Sequence, residues 1–460
     1  MILYRSRLAT VSIALFASVF CFLQLPSAVH AGEVQEGQVL FSQDFEADQG
    51  QWLVIGAGQI KWVRGEGRAH SGQGALEFTY PVAKRGLIAA VTPITPLPGA
   101  RSVRCWVKPN SATVLIFATQ ESDGSRYMCP FYAAGGKWQH IVLNLSDFIL
   151  MPDTSDENAR LDPEQLIALG LLDAATLFQL PSAGEQKRTV LLDDLVISTA
   201  QVESRAKTVT EGNVTLQVID DFENPTLFWA PIRLARNKIE FDSTAELAIE
   251  RDAQHIPYGT GALRYKYAIR TDVAPALTTF LFKPIQGAVS LRLSVKAEQP
   301  TALLIGVSER DDSQYQTFVY VAPNKWHDVR VSLDELMLAE DSSDENGKLD
   351  LDQVQSVYIA DMGALFARFI PSLVGARTIW LDRIAFSSQE EPPAQGITEE
   401  DGQQLVWIDT CESSALRWVP LQITMQPLSI DLAEDVTFKR EEHEEGIGQG
   451  RYHLRVEYVT

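Results

Sequence analysis

The chain writes one unit twice and then begins it a third time. Glu46 stands six residues before Trp52, Glu223 six before Trp229 and Glu412 six before Trp418. Around them the sequence reads Gln43-Asp44-Phe45-Glu46, Asp220-Asp221-Phe222-Glu223 and Asp409-Thr410-Cys411-Glu412. Between the first two copies the match holds at a constant offset of 188, from Ala100 and Ala288 to Asp194 and Asp382, with Arg104 over Arg292, Tyr127 over Tyr315, Tyr132 over Tyr320 and Trp138 over Trp326. A glycine turn recurs as Gly72-Gln73-Gly74, Gly259-Thr260-Gly261 and Gly448-Gln449-Gly450. A fixed internal period makes each copy one folding unit, so the fold of one copy predicts that of the next.

The period divides the chain into residues 38–198 and 215–388, joined by polar or acidic linkers at 199–214 and 389–402. Residues 403–460 carry only the opening of the unit, which reads either as a truncated third repeat or as strands that pair onto the second unit, since unpaired strand edges invite aggregation.

Within a copy the pattern is that of half-buried strands. Val103, Cys105 and Val107 alternate with Arg104, Trp106 and Lys108, and Leu291, Leu293 and Val295 alternate with Arg292, Ser294 and Lys296. Alternation places Arg104, Trp106 and Arg292 on the solvent side. Short strands and hardly any helical period predict an all-β fold of tandem antiparallel β-sandwiches with jelly-roll topology.

The first 31 residues follow another rule: Arg5 and Arg7, an apolar run from Val11 to Leu25, then Val29-His30-Ala31 before the mature start. This is the layout of a signal peptide and predicts a secreted or periplasmic protein that does not span a membrane. A net charge of −21, from 60 acidic and 39 basic residues, argues against a nucleic-acid partner. Outside the leader Cys105, Cys129 and Cys411 remain, without zinc spacing; Cys105 and Cys129 read either as a bridge or as two buried thiols. The acidic loops around Asp153, Asp156 and Glu157, and around Asp341, Asp344 and Glu345, read first as solvated turns.

The D-F-E opening with its tryptophan, the G-x-G-A-L strand, the K-W strand, the D-E-N-x-x-L-D loop and the closing L-D-D-L together resemble family 11 carbohydrate-binding modules and the related domain of a mitochondrial complex I assembly factor. The resemblance covers both full copies and the opening of the third. It implies a galactose-binding-like sandwich, with structural calcium near Glu46 and Asp193 or Asp194, and near Glu223 and Asp382. The same acids would read alike if turn amides held them. It also implies a sugar groove on a concave sheet face, for which Arg104, Trp106, Tyr127 and Tyr132 are the candidates in the first copy and Arg292, Tyr315 and Tyr320 in the second. In strands such tyrosines equally serve as core.

No G-x-S-x-G elbow, H-E-x-x-H pair or phosphate-cradling glycine loop is present, and the repeats occupy nearly the whole mature chain. The function expected is therefore a non-enzymatic, exported carbohydrate-binding protein that recognises polysaccharide of β-glucan type or a cell-envelope glycan. The alternative is an envelope scaffold or assembly protein that holds protein partners. Exposed aromatic rings favour the first and a flat apolar patch the second.

Overall fold

The computed structural model describes residues 37–458 except 83–85, 178–185, 236–237, 253–254, 272, 282, 341, 395, 401–402, 426–427, 434–435 and 443–450. The leader, Asp341 and the turn Gly448-Gln449-Gly450 lie outside the described residues. The chain forms two compact units: one reaches to Ser204 and includes Asn224–Ala230, and the other comprises Arg205–Glu223 and Pro231–Thr460.

In the first copy two antiparallel sheets face each other. One runs in the order Gln59–Arg64, Gly74–Pro81, Lys187–Ser198, Ser102–Pro109, Gln139–Asn144, with Val39–Gln43 also paired to Lys187–Ser198. The other runs Ile149–Leu150, Arg126–Ala133, Thr113–Glu121, Leu166–Asp173, Ala89–Pro93, Leu53–Ile55. The second copy repeats the plan, with Gly375–Ser387 central to one sheet and Val354–Asp361 and Thr301–Glu309 central to the other. The expected all-β fold of tandem antiparallel sandwiches is what the chain adopts. Leu115, Phe117, Tyr127, Cys129 and Phe131 of one sheet and Val103, Cys105 and Val107 of the other are buried, so strict alternation builds the first core.

A polar network crosses each core. Asp173 accepts from the hydroxyls of Tyr80 (2.5 Å) and Thr113 (3.0 Å) and pairs with Arg188, which is fully buried. Tyr267 likewise donates to Asp361 at 2.5 Å in the second copy. Two sheets that would otherwise share only apolar contact are thereby fixed in one register, because a buried charge must keep its partners.

Several expectations change here. Residues 207–211, read as linker, form the strand Lys207–Glu211 against Val214–Asp220, and Gly396–Glu400 of the second linker pairs with Gln403–Trp407. Cys105 and Cys129 are buried thiols in opposing sheets with no disulfide between them, so the thiol alternative holds. Asp193 pairs with Trp106 and Asp382 with Ser294, so the counterpart of Asp382 is Asp193 and not Asp194. The next residues, Asp194 and Arg383, share positive φ values of 49° and 45° at a bulge common to both copies, so the closing strands match one residue off the offset of 188.

The third copy contributes three two-stranded sheets among the described residues. Its opening is built like the others. Phe45, Phe222 and Cys411 all take φ of 56° to 58°, a conformation that bulky side chains rarely adopt. It persists because the glutamate that follows is pinned.

Candidate functional site

The pinned glutamate explains the strongest motif. Glu46 Oε1 accepts the amides of Gln73 (2.8 Å) and Gly74 (2.9 Å), Glu223 Oε1 those of Thr260 and Gly261 (both 2.7 Å), and Glu412 Oε1 those of Arg451 (2.6 Å) and Tyr452 (2.9 Å). An arginine further along each copy, Arg64, Arg251 or Arg440, donates to the backbone carbonyl of the same residue. At Gly74 and Gly261 a Cβ would stand 2.1 and 2.2 Å from the Phe45 and Phe222 carbonyl oxygens, which is why the turn needs glycine.

This geometry tests the calcium expectation. In the first copy Asp193 Oδ2 accepts the amides of His70 (2.8 Å) and Ser71 (3.2 Å), and its Oδ1 accepts that of Asp194. Asp194 instead faces the His70 ring (2.9 Å) and the Ser71 hydroxyl (2.8 Å). With both oxygens of Asp193 and of Asp194 engaged, and Oε1 of Glu46 bound to two amides, the residues do not fit a cation. The second copy differs. Asp382 is fully buried, Oδ2 accepts the Tyr258 amide (3.0 Å) and Oδ1 has no hydrogen-bond partner. Burial, and then the charges of Asp221 and Glu223, push its carboxyl up to about 7. Glu223 is held by the Thr260 and Gly261 amides, the Thr260 hydroxyl and Arg251, and Asp221 by Lys207, so of these three acids only Asp382 keeps an oxygen open to a hard cation.

Arg104 and Trp106 lie on the outward side of their sheet, as alternation requires, but neither is open. The Trp106 ring is stacked on His70 at 3.6 Å and 10° and on His140 at 4.9 Å and 21°. Both faces are taken, so no sugar can stack there. Arg104 keeps a buried Nε without a hydrogen-bond partner. Burial, then Arg104 and His70, hold the His140 imidazole below its usual value. In the second copy Arg292 Nη2 donates to the Tyr258 hydroxyl (2.9 Å) and to Asp328 (3.1 Å), closing the same face with a polar cluster.

The four tyrosines are buried. Tyr127 and Tyr315 point into the cores and donate to Asp156 (2.6 Å) and to Asp344, with burial and these carboxylates raising both phenols. Tyr132 and Tyr320 face the other way but are only 2% and 4% exposed. The Tyr132 amide donates to the Leu227 carbonyl at 2.7 Å, and the Tyr320 amide to that of Leu416 at 2.6 Å. Burial pushes the Tyr320 phenol up to about 12. Of the seven expected sugar contacts, the five aromatic ones therefore present no free ring face, for reasons of tertiary cover that strand alternation does not encode.

What the sequence reading missed is the outward face of the other sheet of the second copy. A Cβ at Gly306 would stand 2.3 Å from Tyr358 Cζ, so the tyrosine ring lies across that glycine. Its hydroxyl donates to Gln316 at 3.0 Å. Half-buried Phe318 stands two residues beyond Gln316 on the same strand face, and the Ser308 and Ser356 hydroxyls pair at 2.5 Å beside them. The first copy places Ala118, Met128, Pro130, Ala168 and Gly170 at these positions and the face is aliphatic, whereas in the second copy Tyr358, 9% exposed, packs with Ile232, Ala276, Leu304 and Ala360, and Phe318 packs against them. The difference between copies was the available signal.

Carboxylates also gather where E-x-D-x-S-x-Y recurs. Glu121, Asp123 and Asp156 lie within 4.8 Å of one another, as do Glu309, Asp311 and Asp344. Both Glu121 oxygens already accept, from Ser125 (2.6 Å) and from the Asp162 amide, so the cluster is satisfied by its own loop. Burial raises Glu121 and Glu309 above the usual carboxylate range.

The fold and these faces define an antiparallel β-sandwich repeat protein with surface sites and, among the described residues, no helix long and apolar enough to cross a membrane. No family model matches the chain and no curated protein matches it. Solved structures do. The tandem of two family 22 carbohydrate-binding modules from Paenibacillus barcinonensis Xyn10C is 12% identical with a TM-score of 0.26, over 78% of this chain and 100% of that one. The family 11 module of the cellulosomal cellulase Lic26A-Cel5E of Clostridium thermocellum is 13% identical with a TM-score of 0.28, over 37% and 93%. An exo-β-agarase is 14% identical with a TM-score of 0.27, over 38% and 25%. At such values the likenesses carry no weight for ligand, and the expected kinship to a complex I assembly factor gains no support.

Proposed function

We propose that this is an exported, non-catalytic carbohydrate-binding protein whose sugar site is the outward face carrying Gln316, Phe318 and Tyr358. The observation that supports it is the combination of a half-buried aromatic ring with an amide and hydroxyls on one sheet face, which suits sugar rings and their hydroxyls. The first sandwich lacks that chemistry and acts as a companion module. Affinity electrophoresis in mixed-linkage β-glucan and in xylan tests it: the wild type and Trp106→Ala should be retarded alike, and Phe318→Ala should lose most of the retardation. Migration of the wild type unchanged by any polysaccharide would count against sugar binding.

A cation that takes the open oxygen of Asp382 would stabilise the second sandwich. Calcium should raise its melting temperature, because a ligand that binds only the folded state stabilises it, and Asp382→Asn should remove that response. Identical melting curves in calcium and in chelator would eliminate the ion.

A second reading keeps one specific support. Leu365, Phe366, Phe369 and Val374, in the loop after Val354–Asp361, are 37%, 46%, 70% and 49% exposed. A contiguous apolar loop of this kind suits a protein partner. Phe369→Ser would abolish partner capture while leaving polysaccharide retardation intact; loss of neither would dismiss the scaffold role.

A further inference from the structure

A sandwich has two open flanks, where the edge strands of both sheets present unpaired amides and carbonyls. On one flank of the first sandwich the edge strand is Gln139–Asn144, and the neighbouring strand of the other sheet, Arg126–Ala133, is covered only by Ile149–Leu150 at Met128 and Tyr127. That pairing stops short of its far end, at Tyr132.

The segment that fills this gap comes from the opening of the next copy. Thr226 Oγ1 accepts the Val142 amide at 2.7 Å and donates to the Val142 carbonyl at 3.0 Å, so one hydroxyl serves both groups of an edge residue. Leu227 pairs with Tyr132 on the other sheet as an isolated antiparallel bridge. Asn224 orients the segment, its Oδ1 accepting the Thr226 amide (2.9 Å) and its Nδ2 donating to the Glu203 carbonyl (3.2 Å). Asn224, Thr226, Leu227, Phe228 and Trp229 are all buried. One hydroxyl and one leucine thus tie the edges of both sheets together.

The device is repeated on the second sandwich. The Arg330 amide donates to Ser414 Oγ at 3.1 Å, that hydroxyl donates to the Arg330 carbonyl at 3.4 Å, and the Tyr320 amide donates to the Leu416 carbonyl at 2.6 Å. Arg330 and Tyr320 are the counterparts of Val142 and Tyr132 at the offset of 188. The first copy's own opening, Ala47-Asp48-Gln49-Gly50-Gln51, has no hydroxyl, and Ala47, Asp48 and Gln51 are exposed.

We propose that this flank is a docking site whose occupant is the opening segment of a following repeat, recognised by a hydroxyl that bridges one edge residue and a leucine that pairs with the tyrosine of the other sheet. Repeats of this kind are then joined by an inserted plug, and Tyr132 and Tyr320 serve as its receptors. The proposal is independent of the sugar reading, since no residue of the Gln316–Tyr358 face takes part.

Hydrogen exchange on the full chain tests it. In Thr226→Val the Tyr132 and Val142 amides should exchange about tenfold faster or more, as expected for a lost local closure, while Thr226→Ser keeps wild-type protection. Ser414→Ala should accelerate Arg330 and Tyr320 and spare Tyr132 and Val142. In the double variant Thr226→Val, Leu227→Gly, a synthetic peptide spanning 220–233 should restore protection at Tyr132 and Val142. Unchanged protection in Thr226→Val, acceleration spread evenly over the first sandwich, or no restoration by saturating peptide would each overturn the proposal.

Discussion

Trp106 faces away from the core, yet both sides of its ring are closed by His70 and His140. Those histidines lie 36 residues before it and 34 after it, on a loop and on a neighbouring strand. Alternation correctly assigns the side of the sheet and says nothing of what stands upon it. Residue chemistry also predicts an acid sensitivity. Burial holds His327 below the usual imidazole value, so the unfolded chain takes up its proton first as pH falls through about 6.5. Stability from this site is full above that pH and is lost as pH drops towards the lower folded value. The urea midpoint of the second sandwich should therefore fall less between pH 7.5 and 5.5 in His327→Gln than in the wild type, a comparison that cancels the opposing carboxylates. An identical fall in both would show that the ring does not titrate as its burial demands.

Among elements, the opening turn and the cross-sheet network determine how each sandwich closes. The glutamate of D-F-E was legible as a recurring acid, but its role as acceptor for two turn amides was not, because those amides lie 27 to 40 residues further on. Asp173 and Arg188 were not legible as a pair either, since neither sits in a motif and burial alone joins them. Removing one partner of a buried ion pair leaves the other uncompensated, so Arg188→Met should cost the first sandwich roughly 3 to 5 kcal/mol in guanidinium unfolding and leave the second sandwich's transition in place. A loss below 1 kcal/mol would mean that the Tyr80 and Thr113 hydroxyls suffice to hold Asp173.

For the whole molecule, strand alternation and the internal period together determined that the fold is all-β and antiparallel and which strand residues face inward. Such information is local or repeats at fixed spacing, so the sequence contains it in full. Tertiary structure decided which outward faces stay open. Trp106 was closed by histidines, Tyr132 by the next copy's Thr226–Leu227 segment, and beside the packed ring of Tyr358 Gln316 and Phe318 stay half-buried. It also decided that Asp382, opposite Ser294, is the counterpart of Asp193 opposite Trp106, one residue off the offset of 188. Cover and register depend on contacts between distant segments, and a pattern of period two records only the direction of each side chain from its own strand.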